Sequence, residues 1–148
     1  MSSIRGYSDP GRAIEGLDVL VSGGGVRWVF PLTGAAVFFE MERLFRLPPP
    51  AAWDGITRVE GRTYCVRYLR PSPDMQLPMT RPGSPLRGCV VSAGDLPVAL
   101  VFDRFLTGSR RPEFEPLGQS SAPFPGVTGH GQLDGVACYR VDTAKLIV

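Results

Sequence analysis

The chain has one histidine and three cysteines among its 148 residues. Any catalytic arrangement that needs an imidazole must therefore use His130. His130 lies in GVTGHGQLDG, which reads as a glycine-rich turn and holds a general base too loosely. Zinc binding needs several sulfur or imidazole ligands at close spacing, and no CxxC pair is present. Cys65, Cys89 and Cys138 are odd in number, lie far apart and each fall in an apolar run, as buried thiols in a reducing compartment do. No apolar stretch is long enough to cross a bilayer, and the opening MSSIRGYSDPGR has no apolar signal core, so a cytoplasmic protein is expected. The net charge is only +2, and Arg110–Arg111 is a pair rather than a basic run with interleaved aromatics, which argues against nucleic acid. Ser22-Gly23-Gly24-Gly25-Val26 lacks the lysine of a phosphate-binding loop. The carboxylate pairs Glu40/Glu42 and Glu113/Glu115 read as solvated faces. No enzyme, metal site or cofactor is expected.

Glycine (18) and proline (15) are plentiful, beside 43% hydrophobic and 20% charged residues, and this composition suits a globular protein of short strands and many turns. Residues 1–15 read as a flexible lead-in, and 16–148 as one domain. Leu17–Val21 and Val26–Leu32 form a hairpin around the glycine run. The segment Ala35–Leu47 fits a helix by its Glu, Met and Leu content and a strand by Val37-Phe38-Phe39. Ile56–Val59 and Thr63–Leu69 form a second strand pair bent at Gly61. Residues 71–86 carry five prolines and no apolar period, and they connect halves of about 16–70 and 87–148. Gly88–Ser92, Leu96–Phe105 and Val136–Val141 are further strands, with Pro97 placed at an edge or a strand start. Asp142 caps a short last helix.

The halves echo one another. Val29-Phe30-Pro31-Leu32-Thr33-Gly34 is answered by Val101–Gly108 with two residues inserted, and Gly55-Ile56-Thr57 by Gly126-Val127-Thr128. Tyr64-Cys65-Val66-Arg67 is answered within Val136–Val141. Shared order and separation favour a duplicated small β unit over a single sandwich with chance matches.

With these elements in order, LDVLVSGGGVRWVFPLTGAAVFF and RLPPPAAWDGITRVEGRTYCVRYL resemble the first half of the CheW-like family. RGCVVSAGDLPVALVFDRFLTG and FPGVTGHGQLDGVACYRVDTAKLI resemble its second half. The resemblance covers about residues 16–148 and turns the 35–47 segment toward strand. It implies an all-β fold of two SH3-like five-stranded β-barrel subdomains around a shared hydrophobic core, with a short C-terminal helix. It also implies a non-enzymatic adaptor that couples chemoreceptors to a CheA-type histidine kinase. The alternatives are a scaffold of the same fold in another intracellular assembly, such as a motility complex, and a small β-barrel ligand-binding domain.

Two departures from the family pattern stand out. Its Asn-Leu-Arg-Gly turn is Arg58-Val59-Glu60-Gly61 here, so Glu60 occupies the position of an arginine that the family ties to receptor coupling. Its strand-closing aspartate is replaced by Tyr68. The turn Arg58, Val59, Glu60, Gly61 and Arg62 is therefore a candidate partner-binding site. If Val37 and Phe39 face the core, Phe38 stands outside with Glu40, and an exposed aromatic beside a charge makes a partner anchor.

Overall fold

Alternating apolar residues place strands throughout the chain, and glycine-rich pairs fold them into hairpins. The computed structural model describes residues 18–32, 37–48, 52–78, 85–106 and 112–146. The expected lead-in 1–15 lies outside these residues, as do parts of the 35–47 and 71–86 segments. Among the described residues the strands are β1 (Asp18–Gly23), β2 (Val26–Pro31), β3 (Val37–Met41), β4 (Gly55–Val59), β5 (Arg62–Tyr68) and β6 (Leu86–Ala93). They continue as β7 (Leu96–Phe102), β8 (Arg104–Phe105), β9 (Glu115–Pro116), β10 (Val127–Leu133) and β11 (Val136–Val141). The ambiguous 35–47 segment contains strand β3. The last element is one 3-10 turn, Thr143–Lys145, and the Asp142 carboxylate accepts the Ala144 N–H at 3.1 Å there. His130 lies in strand β10 and not in a turn, which corrects the reading of GVTGHGQLDG.

The strands form a six-stranded sheet ordered β8-β1-β2-β11-β10-β9 and a five-stranded sheet ordered β3-β6-β7-β5-β4. The chain leaving β3 bends back along β4, where Phe45 and Ile56 exchange backbone hydrogen bonds of 2.9 Å, and this curls the five-stranded sheet toward closure. Two small SH3-like β units result, one of five strands as expected and one of six where five were expected. The two-residue edge strands β8 and β9 add to the rims of the larger unit, and the face between the units is the main core. Val19, Val21, Trp28 and Phe30 enter it from one sheet, and Cys89, Val98, Leu100 and Phe102 from the other. The second face of β7 sends Ala99 and Val101 into a separate cluster with Met41, Val66, Tyr68 and Leu86. Val29, Leu133 and Cys138 form the corresponding cluster of the six-stranded unit. A strand buried on both faces has no polar side, which is why Val98–Phe102 is apolar without interruption. Full burial of Trp28, Phe30 and Phe102 contributes roughly 1.5–3 kcal/mol each.

Both sheets repeat one plan. In each, a hairpin pairs in parallel with the second strand of another hairpin: β7 with β5 in one sheet and β2 with β11 in the other. The registers match. Cys65 and Tyr139 each stand four residues past a turn glycine, Gly61 or Gly135, and pair with Val98 and Trp28. Val98 and Trp28 each stand four past Gly94 or Gly24. The exchange extends to the edges, with β3 pairing β6 and β8 pairing β1. Each copy of the repeat thus gives strands to both sheets. Pro97 fits in β7 because the parallel pairing with β5 begins one residue later, at Val98.

Candidate partner-binding surface

The candidate residues of the 58–62 turn stand at the tip of the β4–β5 hairpin. Glu60 has φ +50° and Gly61 φ +81°, so both central residues of this two-residue loop are left-handed, as the strand twist of a tight hairpin requires. Asp134 (φ +55°) and Gly135 (φ +77°) form the matching turn between β10 and β11. Glu60, Gly61 and Arg62 are exposed, Val59 is buried, and exposed Arg58 folds over the turn to donate from Nη2 to the Gly61 carbonyl at 3.0 Å.

Phe38 is placed otherwise than expected. It does not stand outside the core with Glu40. It is half-buried and packs against the main core, with the Phe105 ring edge-on at 5.4 Å. Phe39 turns to the opposite cluster and lies over Gly88, where a Cβ would come within 2.3 Å of its ring. Alternation holds, with Phe38 and Phe39 facing opposite ways, but β3 runs between two clusters and so has no wholly wet face. Glu40 is exposed and pairs across the strands with Arg87. The aromatic that reaches solvent on this seam is Phe105, 39% exposed and also edge-on to Phe102 at 5.0 Å. Its place in the two-residue edge strand β8, beside β1, is set by tertiary pairing and has no signature in the local sequence.

Other interactions hold the two units together. Tyr68 donates its hydroxyl to Asp103 Oδ1 at 2.7 Å. The Gly24 N–H donates to Tyr68 Oη at 3.1 Å and to Asp103 Oδ2 at 3.3 Å. Burial and the adjoining carboxylate push the Tyr68 phenol well above its ordinary range. The Arg67 guanidinium lies between the rings of Trp53 (4.8 Å) and Phe124 (5.4 Å) and donates to the Ala52 carbonyl at 2.7 Å. Asp54 accepts from Arg70 Nη2 at 2.8 Å and from the Tyr68 N–H at 2.7 Å, with Arg67 at 4.0 Å. Burial lowers the Arg67 pKa, Asp54 opposes that shift, and Arg70 adds to it. Phe124 stacks on Trp28 (5.5 Å) and Trp28 on Tyr139 (4.9 Å), so a file of π systems runs from one barrel into the other.

Among the described residues no three His, Cys, Asp or Glu side chains come together as metal ligands, and no helix is long and apolar enough to cross a membrane. No family model matches the chain, and no curated protein matches it. Among solved structures it is similar to the scaffolding protein TtCheW from Thermoanaerobacter tengcongensis, with a TM-score of 0.56 and 14% identity over 88% of this chain and 96% of that one. At that identity the likeness is one of fold, and the fold is that of a CheW scaffold protein: two SH3-like β units around a common core.

Proposed function

We propose that this protein is a non-enzymatic cytoplasmic adaptor that couples chemoreceptors of the methyl-accepting type to the regulatory domain of a CheA-type histidine kinase. The observation that carries this reading is the fold likeness to a scaffolding protein over nearly the full length of both chains. The order of elements in the sequence, which resembles the CheW-like family from residue 16 onward, supports it. The partner surface comprises the 58–62 turn, with Glu60 presenting a negative charge, and the Phe38–Phe105 seam flanked by Glu40. A carboxylate at the turn repels an acidic partner and attracts a basic one. That reversal favours retention of one of the two partners. The same departures leave a second reading, a scaffold of this fold in another intracellular complex such as a motility assembly.

Co-purification with a receptor signalling region or a CheA-type kinase tests the proposal. Wild-type protein is expected to retain at least one of them, and capture of neither overturns the chemosensory role. Glu60→Arg changes charge at an unchanged left-handed backbone. Phe105→Ala removes a 39% exposed ring that also touches Phe38 and Phe102, so circular dichroism of that variant must first show a wild-type fold. Both are expected to weaken the complex. Two variants that bind as wild type does refute the surface assignment.

A further inference from the structure

A groove of about 560 Å³ opens beside β10, away from the surface described above. Glu113, Phe114 and Glu115 line it together with His130, Gln132 and Tyr139. Its shape follows from the glycines of β10. A Cβ at Gly131 would come within 2.3 Å of the Glu113 carbonyl oxygen, so only glycine lets the 113–116 segment lie this close. Among the described residues strand β9 pairs with Gly129 and His130, and β10 runs on to Leu133 past the end of β9.

We propose that this groove receives an arginine-bearing extended segment of a protein partner. Glu113 and Glu115 are exposed, and the Glu115 side chain, 82% exposed, stands 3.8 Å from His130 Nε2. Carboxylates only accept hydrogen bonds, and a planar guanidinium matches them in pairs while stacking on an aromatic face. Phe114, which packs on the Val29–Leu133–Cys138 cluster, and Tyr139, which also stacks on Trp28 at 4.9 Å, add aromatic surface to the groove lining. The exposed Gln132 side chain supplies a neutral acceptor. The volume falls within the range of clefts that take a small organic group, of which a guanidinium and its stem is one. The protein already contains this recognition once, internally: Arg67 lies between Trp53 and Phe124 with Asp54 beside it. Charge complementarity therefore selects a cationic planar group. The inference rests on the adaptor reading, because it supplies a partner contact.

The test titrates the full chain with a short capped peptide of alternating glycine and arginine, read by amide shifts in NMR. Glutamate and lysine versions of the peptide serve as comparisons. The arginine peptide is expected to move Gly131, Gln132 and Tyr139, and the Glu113→Gln/Glu115→Gln double variant is expected to bind it about tenfold more weakly. Both glutamates are exposed, and a dispersed spectrum of the variant confirms its fold. Absence of shifts at these residues, or shifts unchanged in the variant, overturns the proposal. Equal binding of the lysine peptide overturns the guanidinium assignment. Concentration-dependent shifts at the same residues without peptide show a second copy in the groove, and that also overturns it. Protein that binds the arginine peptide but captures neither receptor nor kinase keeps the groove and loses the adaptor role.

Discussion

Glu60 allows a direct test of the hairpin geometry. At φ +50° it occupies backbone space that costs a residue with a Cβ roughly 1–2 kcal/mol, whereas asparagine enters it readily. Its side chain is exposed, so substitution changes no core contact. Glu60→Asn should therefore recover about 1 kcal/mol, which for a domain of this size raises Tm by about 3 °C. Glu60→Val, with a branched Cβ at the same φ, should lower stability by about 1 kcal/mol or more. Glu60→Arg should leave it almost unchanged, which makes it a matched-stability variant for the binding experiment. Thermal and urea unfolding followed by far-UV circular dichroism measures all three. Equal midpoints for the asparagine, valine and parent proteins would show that residue 60 is not left-handed in solution, and the two-residue turn would then be wrong.

Arg67→Met should cost about 2 kcal/mol in urea unfolding. It removes two cation–π contacts of ~0.5–2 kcal/mol each, while Asp54 keeps Arg70 at 2.8 Å. An unchanged midpoint would mean the ring sandwich is energetically idle. Tyr68→Phe removes the hydroxyl that bridges Asp103 and Gly24 and should cost about 1–2 kcal/mol by the same assay. Burial pushes the Cys89 thiol up to about 12 and Cys138 up to about 11, from an ordinary value of 9.0. Between those values the unfolded chain loses protons that the folded chain keeps. The stability these thiols contribute is thus complete below pH 9 and falls as pH rises through 11 to 12. Urea midpoints that stay level across this alkaline window would refute the burial. A thiol reagent at pH 8 should label Cys65, which is half-buried, ahead of the other two.

Much of the fold was legible from local pattern. The β1–β2 and β4–β5 hairpins follow from alternation interrupted by glycine, and β11 has the predicted bounds Val136–Val141. The repeat was legible too, but not the exchange of strands between its copies. Similarity between Tyr64–Arg67 and the β11 sequence shows that two strands play the same part, not which hairpin each one joins. Strand β10 was hidden because Gly129 and Gly131 imitate a turn, although they serve the close approach of the 113–116 segment. Phe38 was misplaced because period-two reasoning assumes one wet face, and β3 has a cluster on each side. The 58–62 turn was located correctly as a bend, but its left-handed glutamate is a property of backbone angles that composition does not encode. The groove beside β10 had no sequence signal, since its walls come from separate elements and Glu113 and Glu115 alone read as solvent-facing.

The crossed pairing of the repeats bears on how the molecule is made. Arg27 and Asp134 meet across 107 residues of chain, and Gly24 and Asp103 across 79. Contacts so distant along the sequence must close large loops before they contribute, so refolding should be slow for the size of the chain. A fragment ending after β5 would leave β5 without β7 and β2 without β11. During synthesis, therefore, the first half emerges with open strand edges and waits for the second, a period in which it is exposed to mispairing with other chains. Two separately expressed halves should remain unstructured alone and regain the fold on mixing. By the same logic, a single repeat unit with a self-compatible sequence would reach this architecture as a symmetric, strand-exchanged pair.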